Sequence, residues 1–334
     1  MNVSVALCTY NGEEYIEEQI ESILDQTYDI SEVVVFDDSS TDSTISKINK
    51  YANKYPQLFE VHTNDENVGV EENFARCIKH CKGDAIAISD QDDIWHEEKI
   101  EREVEALTRE EVSLVFHNST IVTSSLEQKG DLWSTVQQRV PKNGNQRHLI
   151  TALTKYNFVQ GCTILFDESL KRYLESIPSQ WEYDYYIAVV AALTGGLHAI
   201  DDELLLYRQH EQQAIGSPEE NSLERVRKWT QNSLARNRQS YHEKESRKWK
   251  NVLDAIDRID SPSPDKNKII EMKCDFERQR SEVYDPDVGI RQRIKTVVDC
   301  WNEKGYQRYT DAPSLHSIKD LFASFLVSVY SNLK

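Results

Sequence analysis

The sequence predicts an α/β fold in which a mostly parallel, twisted sheet is flanked by helices and followed by a helical extension. Up to residue 109, short apolar runs alternate with amphipathic helical patterns, and this alternation is typical of parallel β-α units. After residue 112 the pattern changes to strand-like runs with fewer helices between them. From residue 217 to about residue 259 the chain is strongly charged and sparsely apolar, which predicts helices outside the sheet.

The first strand and helix are predicted on either side of an Asn-Gly pair. Residues 3–8 (VSVALC) form a continuous apolar run, as in a buried strand. Asn11 is the predicted N-cap of the following helix, with Glu14 as its capping-box partner. Four apolar residues then fall on one helical face: Ile16, Ile20, Ile23 and Leu24. Open α/β sheets bind ligands where such strands end, although a capped turn that binds nothing fits the same residues.

Three further pairs of strand and helix follow in the first half of the chain. The strands are predicted over 32–38, 59–64 and 84–93. The helices are predicted over 40–55, 69–81 and 96–109. Thr41 is the expected cap of the first of these helices.

The second half of the main domain is predicted to contain three more strands and one helix. The strands are expected over 113–123, 157–167 and 195–207, with the helix over 181–196. Ser217 as an N-cap and Pro218 at the first helical position then predict a new helix in the segment SPEEN. A boundary is therefore expected between a main domain, residues 1–216, and a helical C-terminal extension, residues 217–334.

Composition excludes some function classes. The 334 residues include 57 acidic and 39 basic side chains, and the net charge of −18 argues against a nucleic-acid-binding surface spread over the protein. The first apolar run is interrupted by Glu13 and Glu14 and does not resemble a signal peptide, so a cytoplasmic protein is expected. The six cysteines are scattered, which favours reduced thiols. Cys77 and Cys81 are expected to be small buried residues rather than metal ligands.

Acidic side chains end two of the predicted strands. Asp37 and Asp38 end the second strand, and Asp90, Asp92 and Asp93 end the fourth. In a parallel sheet both clusters can project toward the same crevice, where crowded carboxylates repel one another unless a cation neutralises them. Mg²⁺ is commonly held by one or two carboxylates together with substrate phosphates. Helix capping explains either cluster alone, but it does not readily explain both.

Ordered motifs in the chain resemble those of family 2 glycosyltransferases, which have the Rossmann-like GT-A fold. The nucleotide-sugar-binding half of that family is similar to residues 8–27, 33–44, 64–74 and 88–100. The rhamnosyltransferase-like branch, which makes cell-surface polysaccharides, is similar to three later segments: 157–166, 180–188 and 207–216. The resemblance implies a nucleotide-sugar-binding half over 1–110 and an acceptor-binding half over 111–216. Tyr183 stands where the family usually has a histidine.

The resemblance implies that a nucleotide lies at the end of the first strand. Thr9 and Tyr10, with Asn11 beside them, would contact the nucleotide base. Asp38, with Asp37 beside it, would contact the base or the ribose.

The resemblance also implies a cation site at the D-x-D motif. Asp90 and Asp92 would place Mg²⁺ or Mn²⁺ on the diphosphate, while Asp93 is expected to cap the following helix. His210 would reach the metal or the diphosphate, although a histidine at a strand end is also often a surface residue.

The acceptor side of the site is predicted from the later motifs. Asp184 is the implied general base, and helix capping is the alternative explanation for an aspartate at that position. Gly161 and Cys162 would let an acceptor approach the backbone closely. Two further residues are assigned to the acceptor or the phosphates: Trp181 and Arg208.

The implied function is metal-dependent, inverting transfer of a sugar from a UDP or dTDP donor to a glycan or polyprenyl-linked acceptor in cell-surface polysaccharide or glycoprotein-glycan synthesis. A nucleotidyltransferase is the first alternative, but its usual Gly-rich basic loop is replaced by the acidic CTYNGEEY. A non-catalytic nucleotide-sugar-binding relative is the second, and the presence of Asp92 and Asp184 argues against it. A receiver-type signalling domain is a further alternative. The length of this chain argues against it, because such a domain is about half as long.

The last segment, residues 314–334, is predicted to form an amphipathic helix. Its apolar face consists of Leu315, Ile318, Leu321, Phe322, Phe325, Leu326 and Val329. The segment is too short and too polar to span a bilayer. We expect it either to dock on the main domain or to lie on the cytoplasmic face of the membrane, where lipid-linked acceptors are found.

Overall fold

The fold is described from a computed structural model of the chain. The described residues are 1–135, 140–141, 146–174, 177–210, 235–259 and 264–331. The chain divides into two compact units, and the first comprises Met1–Leu149 and Asn157–Gly216. The second comprises Ile150–Tyr156 and Ser217–Lys334. The predicted helix start at Ser217 lies outside the described residues.

The described part of the first unit contains one sheet of nine strands. They are β1 (Val3–Thr9), β2 (Glu32–Asp37), β3 (Phe59–Thr63), β4 (Ala85–Ser89), β5 (Ile94–Trp95), β6 (Leu114–Thr123), β7 (Gln128–Asp131), β8 (Ile164–Asp167) and β9 (Leu197–Gln209). The helices are α1 (Ile16–Leu24), α2 (Thr44–Lys54), α3 (Val70–His80), α4 (Lys99–Arg109), α5 (Leu132–Thr135), α6 (Gln146–Leu153) and α7 (Tyr183–Leu193), of which α6 continues into the second unit.

The sheet is mixed but mostly parallel, as predicted. Its strand order is β3-β2-β1-β4-β8-β6-β9-β5, with β7 paired to β6. The strands β3, β2, β1 and β4 are parallel, and so are β6 and β9, whereas β8 runs antiparallel to both of its neighbours. Every residue of β1 is buried, which is typical of a central strand covered on both faces.

The predicted pattern of buried residues is confirmed for α1. Ile16, Ile20 and Ile23 are at most 1% exposed, and Leu24 packs against the same core. The predicted start of the helix was wrong. The helix begins at Ile16 rather than after Asn11, and Asn11 has a left-handed φ of 46° and does not cap it.

Three other predicted boundaries were wrong. Helix α2 begins at Thr44, where Asp42 accepts a hydrogen bond from the Thr44 N–H, so Thr41 is not its cap. Strand β4 ends at Ser89, and the acidic segment after it is a turn. Strand β8 begins only at Ile164, because Gly161–Thr163 form a 3-10 turn.

The cysteines are consistent with the predicted reduced state. All six are free, and Cys77 and Cys81 are at most 1% exposed. The Cys77 Sγ lies 3.2 Å from the carbonyl oxygen of Val34. Both residues therefore fill space between α3 and the sheet, as expected for small buried side chains.

The described part of the second unit is helical. Its helices are α8 (Ala235–Asp257), α9 (Pro264–Val283), α10 (Ile290–Asn302), α11 (Gly305–Tyr309) and α12 (Pro313–Ser331). Asp320 of α12 is fully buried and accepts hydrogen bonds from Arg280 at 2.7 Å, from Tyr284 and from Tyr306 at 2.8 Å. Burial alone would raise the pKa of Asp320, but the Arg280 charge and these hydrogen bonds hold it below its ordinary value.

Helix α12 turns a polar stripe inward and an apolar face outward. Asp320 and Ser324 are fully buried, whereas Phe322 is 65% exposed and Phe325 is 49% exposed. The other exposed members of this face are Leu315, Ile318 and Leu321. The side chains of Leu326 and Val329 lie outside the described set. A helix able to cross a bilayer is not found among the residues that the structure describes.

Replacing Asp320 by asparagine should lower the free energy of unfolding of the second unit by about 3 kcal/mol, because the Arg280 charge would remain buried without its carboxylate partner. Urea unfolding followed by circular dichroism measures this change. The matched control is Asp275→Asn, which removes an ion pair with Arg278 whose two side chains are 60% and 69% exposed. The control should have little effect, and equal effects of the two substitutions would contradict the prediction.

Candidate active site

A cleft of about 410 Å³ lies in the first unit, beside the carboxyl ends of β1 and β4. Eight of the residues assigned from the sequence line it: Thr9, Tyr10, Asp38, Asp90, Asp92, Gly161, Cys162 and Asp184. The two predicted halves of the site therefore meet in one cavity. Five assigned residues are not among those that line it: Asn11, Asp37, Trp181, Arg208 and His210.

The adjacent acids Asp37 and Asp38 have different partners. Asp37 is fully buried and accepts hydrogen bonds from the Thr9 hydroxyl at 2.8 Å and from the Ser40 N–H at 2.8 Å. It therefore fixes the loop after β2. Asp38 lines the cleft and accepts backbone N–H bonds from Val68 at 2.8 Å and Gly69 at 2.9 Å, which hold the start of α3.

Asn11 joins two loops below the cleft. Its N–H donates to the Ser40 hydroxyl at 2.8 Å, and its side-chain oxygen accepts from the Thr41 N–H at 2.8 Å. Asparagine adopts the left-handed backbone more readily than most residues, which suits its φ of 46°. The loops that follow β1 and β2 are thus held together by this side chain.

Burial and mutual repulsion raise the pKa values of two acids in the D-x-D turn. Burial, together with the carboxylates of Asp92 and Asp184, raises the pKa of Asp90 to about 7. Burial and the charges of Asp92 and Asp90 also raise the pKa of Asp93 well above its ordinary value. Two carboxylates this close favour the neutral form of one of them unless a cation is present.

Asp93 does not cap a helix, contrary to the prediction. It is fully buried, and its Oδ1 accepts a hydrogen bond from the Arg208 N–H at 3.2 Å. Its Oδ2 has no hydrogen-bond partner among the described residues. Helix α4 begins only at Lys99, with Glu98 at the N-cap position.

His210 and Arg208, both near the end of β9, hold the D-x-D turn from one side. The His210 Nε2 lies 2.8 Å from the Asp92 Oδ2. The Arg208 guanidinium donates to the Asp92 carbonyl at 2.8 Å and to the Ser124 carbonyl at 3.0 Å, and it also pairs with Glu18. Arg208 is only 2% exposed, so these contacts place its side chain behind the turn rather than in the cleft.

The donor set fits a hard divalent cation such as Mg²⁺ or Mn²⁺. Ligand atoms of Asp90, Asp93 and Cys162 lie within 4.8 Å of one another, and the His210 imidazole lies next to the Asp92 carboxylate. Burial, together with the neighbouring carboxylates, raises the pKa of Asp90 and so disfavours its ionised form, which a bound cation would restore. Burial raises the pKa of the Cys162 thiol, which disfavours the thiolate and hence a sulfur ligand.

Asp184 lies in the first turn of α7, on the acceptor side of the cleft. Its Oδ1 accepts hydrogen bonds from the Tyr185 N–H and, at 3.1 Å, from the Asn157 amide. Burial raises its pKa to about 7, although backbone hydrogen bonds from Tyr185 and Gly161 oppose the shift. A carboxyl group with such a pKa can exchange a proton near neutral pH. Asp184 is not the N-cap of α7, because Glu182 holds that position, but a carboxylate in the first turn also suits the helix dipole.

The space above Gly161 is already filled. A Cβ atom at this position would lie 1.9 Å from the Tyr183 hydroxyl. The Tyr183 ring stacks on Phe74, with centroids 4.1 Å apart and an interplanar angle of 19°. Tyr183 thus fills the side of Gly161 where a Cβ atom would lie, while Gly161 still lines the cleft, and its contact with an acceptor stays a prediction.

Trp181 is a packing residue in this structure. It is 1% exposed, and its ring makes edge contacts with Tyr185 at 5.0 Å and Tyr186 at 5.9 Å. It therefore supports the start of α7 from outside the cleft.

The sequence interpretation missed several residues that line the cleft. They are Cys8, Asn67, Gly69, Val70, Glu71, Asn73, Phe74, Gln91, Gln160, Glu182, Tyr183 and Tyr207. All of them lie inside the motif segments that carry the family resemblance, so the sequence indicated their neighbourhood. Which side chains of each segment face the cleft is decided by the tertiary fold.

Comparison with known proteins identifies a family match and similar folds. The family model for Glycosyl transferase family 2 matches residues 4–185. An uncharacterized protein of Mycobacterium bovis is 28% identical over 213 residues, which is 62% of this chain and 59% of the relative. The dTDP-rhamnosyl transferase RfbG of Shigella flexneri is 36% identical over 125 residues, which is 36% of this chain and 40% of the relative. The chain thus spans less than two thirds of the curated relatives it matches.

Two solved structures share the fold at low sequence identity. S. aureus TarS 1-349 in complex with UDP-GlcNAc aligns with 100% of this chain and 92% of that chain, with a TM-score of 0.59 and 16% identity. The mannosyltransferase PcManGT from Pyrobaculum calidifontis, in complex with GDP-Man and Mn²⁺, aligns with 98% and 87%, with a TM-score of 0.50 and 16% identity. These likenesses support a GT-A fold with a C-terminal helical region.

Proposed function

We propose that this chain, which belongs to glycosyl transferase family 2, moves a sugar from a nucleotide-diphosphate donor to a glycan or lipid-linked acceptor in polysaccharide or glycoprotein-glycan synthesis. The observation that carries the proposal is the single cleft that joins Asp38, the D-x-D turn and Asp184. We assign the reaction to residues 1–216, with the donor half over 1–110 and the acceptor half over 111–216. Residues 217–334 form the extension.

The donor is proposed to be a UDP or dTDP sugar. Thr9 and Tyr10 lie at the end of β1, where the nucleotide base would lie against the half-exposed Tyr10 ring. Asp38, held by the Val68 and Gly69 N–H groups, would contact the base or the ribose. One similar protein is named a dTDP-rhamnosyl transferase, and a protein of similar fold was solved in complex with UDP-GlcNAc. These two proteins support the two nucleotide classes.

The D-x-D turn is proposed to hold the diphosphate through a divalent cation. Asp92 and His210 would ligate Mg²⁺ or Mn²⁺, with Asp90 beside them. When bound, the cation would stabilise the negative charge that develops on the leaving diphosphate. Arg208 keeps this turn in place through the Asp92 carbonyl.

Asp184 is proposed to be the general base of a single displacement. Its carboxylate would take the proton of the acceptor hydroxyl while the acceptor oxygen bonds to the anomeric carbon. The bond from that carbon to the diphosphate oxygen breaks, and its electron pair leaves with the phosphate. One base is sufficient for this step, which inverts the anomeric centre without a covalent sugar intermediate.

The extension is proposed to place the enzyme at the cytoplasmic face of a membrane. The outward apolar face of α12 supports this, because large apolar side chains that are exposed together often mark an interaction surface. The chain as a whole has a net charge of −18, but residues 290–331 contain six basic and four acidic side chains. An anionic leaflet therefore does not repel this segment as it repels the rest of the chain. Docking of α12 on the main domain is the competing outcome.

Asp92→Asn should weaken the binding of UDP or dTDP at least about tenfold when Mg²⁺ or Mn²⁺ is present, because the metal would lose an anionic ligand. Isothermal titration calorimetry with and without EDTA measures the effect. The matched control is Asp202→Asn, which removes an exposed charge of the first unit and should leave affinity unchanged. Equal affinity of the native protein with and without EDTA would rule out the metal site.

Asp184→Asn should bind the nucleotide normally but transfer sugar about 10² to 10⁴ times more slowly, because only the proton acceptor is lost. The assay follows nucleotide-diphosphate release with the sugar nucleotide found by screening. The control is Asp202→Asn, which removes an exposed charge outside the cleft and should retain the activity. Near-normal transfer by Asp184→Asn, or a product with retained anomeric configuration, would refute the assignment.

The native chain should float with vesicles that contain anionic phospholipid. The double substitution Phe322→Asn, Phe325→Asn should abolish flotation because it removes the two exposed aromatic rings of the apolar face. The control is Val298→Asn, which changes an exposed apolar residue of α10. Absence of flotation by the native protein, or equal flotation by all variants, would show that α12 does not bind membranes.

A further inference from the structure

We propose that Gln91, the middle residue of the D-x-D motif, is a positioning residue that sets the distance between the base-binding and the diphosphate-binding parts of the cleft. It does so by holding Tyr10 against the turn that carries Asp90 and Asp92. The inference rests on the proposed function, because it assigns a role in binding the nucleoside diphosphate.

The side-chain amide of Gln91 pairs with the backbone of Tyr10. Its Oε1 accepts from the Tyr10 N–H at 2.8 Å, and its Nε2 donates to the Tyr10 carbonyl at 3.0 Å. The backbone pairing of β1 with β4 ends at Leu7 and Ser89. The amide therefore makes one more pair of hydrogen bonds between the two loops just after the strands have stopped pairing.

Gly12 provides the space for this contact. A Cβ atom on Gly12 would lie 2.2 Å from the Gln91 Oε1 and 2.4 Å from its Cδ. Gly12 is not among the residues with positive φ, so its backbone does not itself require glycine. The absence of a side chain at Gly12 is explained by the position of the Gln91 amide.

The contact joins two parts of the cleft that would bind different parts of one ligand. Tyr10 is 47% exposed beside the cleft, where its ring is available to a base. Asp90 and Asp92 flank Gln91 and line the same cleft. A nucleoside diphosphate separates its base from its phosphates by one ribose, so a fixed distance between the two parts favours the whole molecule over either piece.

The chain offers a matched control for the general effect of such an amide pair. The Gln146 Oε1 accepts from the Leu197 N–H at 2.9 Å, and its Nε2 donates to the Leu197 carbonyl at 2.8 Å. Gln146 does not line the cleft. Its replacement therefore removes a chemically equivalent contact from the same unit.

The experiment measures the affinities of UDP, dTDP and inorganic pyrophosphate in the presence of Mn²⁺, by calorimetry, for the native chain, Gln91→Ala and Gln146→Ala. Gln91→Ala should weaken binding of the preferred nucleotide about tenfold, since two hydrogen bonds are lost, and should change pyrophosphate binding less than about twofold. Gln146→Ala should lower the melting temperature of the protein as much as Gln91→Ala does, and it should leave all three affinities unchanged.

Gly12→Ala provides a second, independent variant. Its methyl group would displace the Gln91 amide, so the nucleotide affinity should fall as much as in Gln91→Ala. The double variant should bind no more weakly than either single variant, because all three lack the same contact. Additive losses would overturn the proposal.

The remaining outcomes separate the two levels of the inference. Nucleotide binding by the native chain that is unchanged in Gln91→Ala, or equal weakening of nucleotide and pyrophosphate, would overturn the positioning role alone. A native chain that binds neither UDP nor dTDP would overturn the proposed donor and with it the positioning role.

Discussion

Mutual repulsion among half-buried carboxylates is the constraint that the candidate site depends on. Asp90 and Asp92 belong to one turn and line a cleft that also contains Asp184. The three carboxylates differ in their hydrogen-bond partners. Asp92 lies against His210, and Asp184 receives backbone and amide hydrogen bonds. Burial, and then the charges of Asp92 and Asp184, raise the pKa of Asp90 to about 7. A cation is the natural counterpart of such a cluster.

The second unit contains buried charges whose arrangement has the opposite effect. There, Lys273 pairs with Glu277 at 2.7 Å and Arg280 pairs with Asp320 at 2.7 Å, so each buried acid has a basic partner. Although burial alone would raise the pKa of Glu277, Lys273, His242 and Arg280 hold it below its ordinary value. A raised pKa alone does not mark a ligand site, because burial also raises the pKa of Glu103 to about 7, although Glu103 pairs with Lys99 outside the cleft.

The fold was largely predictable because periodicity reports burial directly. The apolar runs and helical faces of the first half, such as Ile16, Ile20 and Ile23, depend on local spacing and were found correctly. The end of each element was less predictable, since Asn11 and Thr41 bind each other instead of capping their own helices. Arg208 shows the same limit for the site: its partners Glu18 and Asp92 are more than one hundred residues away in sequence. Only the tertiary fold determines such contacts.

The packing of Tyr183 against Gly161 has an evolutionary consequence. Because the tyrosine hydroxyl occupies the volume where a Cβ atom at position 161 would lie, a side chain cannot be added at position 161 while Tyr183 keeps its place. The stack on Phe74 extends this dependence to a third position on a different helix. Related chains that carry a side chain at position 161 should therefore have a smaller or differently oriented residue at position 183. The three positions should covary as a group.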